Sequence, residues 1–209
     1  MKYLILFLPL FAACGITDST GSLSDRKPQN RTLTIAAVRD STVSESEWSD
    51  LIGRASSVLE SRINVRLRNA GSVQVGNPPT SIYVVAEFAE KAGLHDSDIY
   101  FSVSNRRSEE VIGSKGIAGQ AVAIGGREGF LFGIRESRST MVLIHEIGHM
   151  IGMGHSSNPQ YLMDAGGHGR YLTKDYAARM DALFRSDCSS GSCPKRGKNV
   201  QSCTWSDDQ

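Results

Sequence analysis

One stretch of eleven residues constrains this chain more than any other: His145-Glu146-Ile147-Gly148-His149-Met150-Ile151-Gly152-Met153-Gly154-His155. Three of the chain's five histidines fall in it. Residues four apart lie on one face of a helix, one turn above each other, so His145 and His149 can reach a single ion. Thr140 to Ile151 is apolar apart from Thr140, His145, Glu146 and His149, as expected of a helix buried beneath a sheet. Gly152 permits a left-handed turn that ends this helix and swings His155 back toward the same ion. Three imidazoles leave a fourth position open, which distinguishes a catalytic zinc site from a closed structural one. Glu146 sits beside the first ligand and approaches the open side without being a ligand, the placement a general base needs.

The rest of the chain has to supply a domain around that helix. At 209 residues, 40% hydrophobic and 22% charged, it can bury a core and stay soluble. Its 23 Lys and Arg against 22 Asp and Glu give none of the basic excess of a nucleic-acid module. Leu33 to Val38 reads as a first strand. Ser44 with Glu47 has capping-box spacing and opens a helix to about Arg62, with Trp48, Leu51, Ile52, Ala55, Val58 and Leu59 on its apolar face. Asn64 to Val75 alternates like a strand that bends or turns at Asn69-Ala70-Gly71, and Asn77-Pro78-Pro79 breaks the chain. Ser81 to Lys91 reads as a helix stopped by Gly93, and Ile99 to Val103 as a strand. Ser104 to Gly116 reads as a polar loop. Ile117 to Ile124 and Gly129 to Ile134 read as strands joined at Gly125-Gly126. Trp48 and Phe88 are expected in the core. The order of elements gives an α+β, or mixed α/β, domain around one twisted sheet.

The first residues are a processing signal. Lys2 is followed by an uncharged stretch from Tyr3 to Ala12, too short to span a bilayer. Leu10-Phe11-Ala12-Ala13-Cys14-Gly15 resembles the lipobox of bacterial lipoproteins. That resemblance implies removal of residues 1–13, lipidation of Cys14, and export to the outer membrane or cell surface, with the periplasmic face as an alternative. Residues 14–30 then form a flexible Ser-, Thr- and Gly-rich tether. The folded domain is expected over 31–186. Residues 187–209 form a tail holding Cys188, Cys193 and Cys203, of which one pair is expected to close a disulfide, the pairing being open.

The eleven-residue motif, extended through Ser156 to Met163 and Asp164, resembles the metzincin clan of zinc peptidases, with the matrixins as the best-fitting family. The resemblance implies a mostly parallel twisted sheet with an antiparallel edge strand at 117–124, a buried zinc helix and a small C-terminal subdomain. It puts Met163 in a turn beneath the zinc. It also places a C-terminal helix after Leu172-Thr173-Lys174-Asp175, for which Thr173 is independently a reasonable N-cap. The matrixins' pattern for a second, structural zinc is missing, so one catalytic zinc is expected; calcium has only the triplet His95, Asp96 and Asp98, which reads more simply as a solvated turn. His168 reads as a surface histidine in a glycine-rich loop, with a cleft-facing role as the competing reading. The function implied is that of a lipid-anchored, monomeric zinc endopeptidase acting on protein or peptide substrates. The alternative is a non-catalytic surface lipoprotein that uses the same fold for binding or zinc capture.

Overall fold

The computed structural model describes residues 31–76, 85–95, 97–167 and 169–185. The signal, Cys14, the tether, the Asn77-Pro78-Pro79 break, Asp96, His168 and the tail with its three cysteines lie outside the described residues.

The chain runs β1 (Arg31–Asp40), α1 (Glu45–Ile63), β2 (Val65–Val75), α2 (Val85–Lys91), β3 (Ile99–Ser104), α3 (Ser108–Val111), β4 (Gly119–Ala121), β5 (Glu128–Phe132), α4 (Ser139–Met150) and α5 (Lys174–Arg185). The strands form one sheet in the order β2-β1-β3-β5-β4. Every neighbouring pair is parallel except β4 with β5, so the antiparallel edge strand stands where the resemblance implies. A parallel sheet needs cover on both faces, and β1 shows it: Ile35, Ala36, Ala37 and Val38 are all buried, although their side chains alternate between faces. Leu33, Ile35 and Ala37 pack with α1 and α4, whereas Ala36 and Val38 pack with α2.

The long first helix begins as its sequence dictates. Ser44 accepts the backbone N–H of Glu47 at 3.2 Å, and Glu47 returns the bond to Ser44 N–H at 2.8 Å. Its face of Trp48, Leu51, Ile52, Ala55 and Leu59 is buried against the sheet. Beneath it, β2 neither turns nor breaks at Asn69-Ala70-Gly71. It carries a bulge instead, pairing Ile35 with Asn69 and Ala36 with Gly71, so that Ala70 is the extra residue. Gly71 has φ 119° there, and an added Cβ would lie 2.9 Å from Leu94 Cδ2, which is why glycine occupies it.

Further local expectations differ. The polar segment after β3 contains the four-residue helix α3, with the buried Ser108 hydroxyl accepting Ile117 N–H at 3.0 Å. The edge strand is shorter than 117–124, because Gly125 N–H bonds His149 O at 2.8 Å and draws the chain from the ladder onto α4. Phe88 is 40% exposed, since α2 is short and buries Val85 and Ala89 instead; Trp48 is fully buried.

Asp98 is no part of a solvated turn either: its carboxylate accepts Thr34 N–H and the Thr34 hydroxyl, both at 2.8 Å, tying the start of β3 to β1.

Candidate metal centre and active-site cleft

Helix α4 lies under the sheet with Leu143, Ile144 and Ile147 fully buried, which fixes its rotation about its own axis. Its other face then turns His145, Glu146 and His149 into a cleft of about 590 Å³ between β4 and the segment after Met163. The helix ends in a Schellman motif: Gly152 N–H bonds His149 O and Met153 N–H bonds Gly148 O, each at 3.0 Å, with Gly152 at φ 93°. The motif has a second effect. It turns Met153 O back to His149, whose Nδ1 stands 2.7 Å away. His145 Nδ1 is likewise 2.7 Å from Leu162 O.

Those two carbonyls assign the tautomers. A carbonyl only accepts, so each Nδ1 carries the proton and each Nε2 presents a lone pair. Yet His149 Nε2 stands 3.1 Å from His145 Nε2 and 3.2 Å from His155 Nε2. The His145 and His149 lone pairs cannot hydrogen-bond each other, and a cation among the three nitrogens would satisfy them. Zinc fits: Zn–N distances of ~2.0–2.1 Å in a tetrahedral shell put ligand nitrogens ~3.3 Å apart. Burial holds His145 and His149 below the usual imidazole range, against the pull of the two carbonyls, which keeps both neutral and able to ligate. Carbonyl partners that orient ligating histidines are the usual outer layer of such a site.

Glu146 is buried in the same cleft. Its Oε2 accepts the backbone N–H of Ala121 at 2.7 Å. Burial pushes its carboxyl up to about 7, with the Ala121 N–H pulling the other way. The opposite oxygen is confined by Gly119, where an added Cβ would lie 2.8 Å from both Glu146 Cγ and Oε1 and 2.7 Å from Val142 Cγ1. Gly119 and Ala121 were not legible as functional. Neither carries side-chain chemistry, and both act on a residue more than twenty positions away.

Met163 is 2% exposed and packs on α4 at Gly148, where a Cβ would collide with its sulfur. Gly148 lies between His145 and His149 on the helix, so the Met163 side chain sits under the histidine cage. Its turn is pinned by Ser156 N–H on Met163 O at 2.8 Å and by Leu162 N–H on Tyr171 O at 2.9 Å. Helix α5 comes next, with the Thr173 hydroxyl accepting Tyr176 N–H at 3.1 Å. Tyr176 is fully buried and donates to Ile144 O at 2.9 Å, and Arg179 donates to Gly152 O at 2.6 Å. Through these bonds α5 fastens both the middle and the end of the zinc helix.

The matrixin family model matches residues 83–177, the span that contains the edge strand, the histidines and the Met163 turn. Over that span the chain is similar to the matrixins, and its fold is metzincin-like. Among 121 matching chains of solved structure is archaemetzincin from Methanopyrus kandleri, 14% identical, covering 78% of this chain and 99% of its own, with a TM-score of 0.51. At that identity the likeness is one of fold. No curated protein matches the sequence. A metzincin-like fold accounts for the sheet order and the buried helix together.

Proposed function

We propose that this protein is a matrixin-type zinc endopeptidase in which His145, His149 and His155 hold one ion and Glu146 is the general base. The observation that supports this most is the cleft's combination: three imidazole nitrogens facing one point, and a buried carboxylate beside them held by the edge strand. When bound, zinc supplies Lewis acidity toward the scissile carbonyl and acidity to the attacking water. Glu146 removes that water's proton and returns it to the departing amine. Its carboxylate is kept in place by Ala121 N–H and kept from swinging away by the small space beside Gly119.

The substrate is an extended peptide. In β4 the even-numbered residues face β5, as Val122 N–H on Glu128 O and Phe132 N–H on Ala118 O show. The odd-numbered backbone groups therefore face the cleft, where a peptide strand can add to the sheet. The protein acts as a monomer, exported and held at the membrane through lipidated Cys14. No helix among the described residues is long and apolar enough to cross a membrane.

Zinc analysis with casein hydrolysis tests the reading. Wild type is expected to carry one zinc and cleave casein. Glu146→Ala is expected to keep the zinc and lose at least ~10²-fold in turnover, the usual scale for a missing general base. Near-normal turnover in that variant would sink the mechanism; a wild type that binds zinc and cleaves nothing would instead favour a zinc-capture lipoprotein.

A further inference from the structure

The cleft is nearly devoid of formal charge. Among the described residues, Arg138 and Glu146 are the only ionisable side chains lining it apart from the histidines, and Glu146 is committed to Ala121. Arg138 is the residue at the N-terminal end of α4, with no capping bond of its own. Seven positions before His145, it stands about 10 Å along the helix from that ligand, at 1.5 Å per residue. Between them the helix presents Met141 and Val142 to the cleft. Opposite stand Ala165, Gly166, Gly167 and Gly169, none with a side chain longer than a methyl. Among the described residues, this side of the cleft is therefore lined by apolar groups from His145 as far as Arg138, its one cationic side chain apart from the histidines.

The direction of the chain says which substrate residue enters. Gly125 bonds His149 O near the end of α4, while Gly119 lies against Val142 and Glu146 nearer its start, so β4 and α4 run in the same sense. A peptide pairing antiparallel to β4, the more stable ladder, runs toward the start of α4. Its leaving-group side thus lies along Met141, Val142 and Arg138. The start of a helix also favours negative charge there.

Among the described residues, Arg138 has one competitor, Glu136, whose carboxylate accepts from Nε at 2.9 Å. Both side chains are about half exposed, 51% and 54%, and such a pair contributes little. A guanidinium carries five donors, and this bond uses one of them.

We propose that Arg138 is a specificity-determining residue that selects substrates carrying a carboxylate immediately past the scissile bond. The proposal rests on the peptidase reading for the identity of the cleft's occupant, and its test separates the two. C-terminally amidated peptides differing only in Glu or Gln after the scissile bond are compared in two ways: kcat/KM with the wild type, and binding to zinc-loaded Glu146→Ala by fluorescence anisotropy. The Glu peptide is expected to lead by at least about tenfold in both, as a charge-assisted bond allows. Arg138→Gln should bring both ratios close to one, and Arg138→Glu should favour a Lys peptide. A free-acid Gln peptide ending one residue past the scissile bond separates the sources of the carboxylate. If it gains the preference and the amidated Glu peptide does not, Arg138 reads a chain terminus rather than a side chain. Selectivity for neither carboxylate, or selectivity that Arg138→Gln leaves intact, would overturn the proposal. Selective binding without hydrolysis of any peptide would overturn the peptidase reading and leave the carboxylate site standing.

Discussion

The Glu146 carboxylate is held by what its neighbours lack as much as by what they offer. Gly119 has no Cβ where one would press on Glu146 Cγ, Glu146 Oε1 and Val142. Gly119→Ala is therefore expected to retain one zinc per chain but lower kcat by roughly 10–100-fold, because a displacement near 1 Å at a catalytic group has an effect of that size. Atomic absorption and steady-state kinetics check both halves; unchanged kcat would show that Glu146 does not depend on this space. A second residue-scale outcome concerns Glu47. The Arg135 side chain, and next the Ser44 N–H, hold its carboxyl down at about 2. A group depressed on folding stabilises above its unfolded pKa, near 4.5, and loses that contribution as pH falls toward 2. Glu47→Gln should thus cost about 1 kcal/mol at pH 7, the scale of a partly exposed pair, and the gap should close as pH falls from 4.5 to 2. Urea midpoints across that range measure it.

Among elements, helix α4 shows how local signals and packing divide the work. Its end was legible from Gly152, because a left-handed C′ position is a property of a few consecutive residues. Its burial was legible from the apolar run Thr140 to Ile151, and its rotation is set in the structure by the burial of Leu143, Ile144 and Ile147. The partners that orient the ligands were not: Leu162 O is 17 residues from His145. Met163 belongs to this level too. Its side chain fills the space against Gly148, and truncation to Ala is expected to cost ~2–5 kcal/mol, the usual range for a buried Met. The melting temperature of zinc-loaded Met163→Ala should fall clearly, while kcat changes less. An unchanged midpoint would remove Met163 from beneath the cage.

At the scale of the whole molecule, the proposed anchor Cys14 precedes in sequence every residue assigned to the site. Cys14→Ser is expected to release the protein from membranes into the soluble fraction with its peptidase activity unchanged, since every residue assigned to the site lies after β1. Persistent membrane fractionation would mean that another segment or a partner holds it. Within the domain, the sequence by itself determined what is written in short windows. These are the capping box at Ser44 and Glu47, the short apolar run from Leu33 to Val38 that makes β1, and a metal motif whose spacing places two histidines one helical turn apart and a third after a glycine turn. Such features depend on backbone periodicity and on neighbours within a few residues, so the chain states them wherever it folds. Only the tertiary structure decided the rest. It laid β4 against α4, so that a backbone N–H and a missing Cβ frame Glu146, and it brought Leu162 O and the Met163 side chain to the histidines from beyond the helix. It turned Phe88 outward, because a short α2 could bury only Val85 and Ala89. Those outcomes depend on which surfaces meet, and a bare glycine or a main-chain carbonyl leaves no mark in the sequence of the partner it will serve.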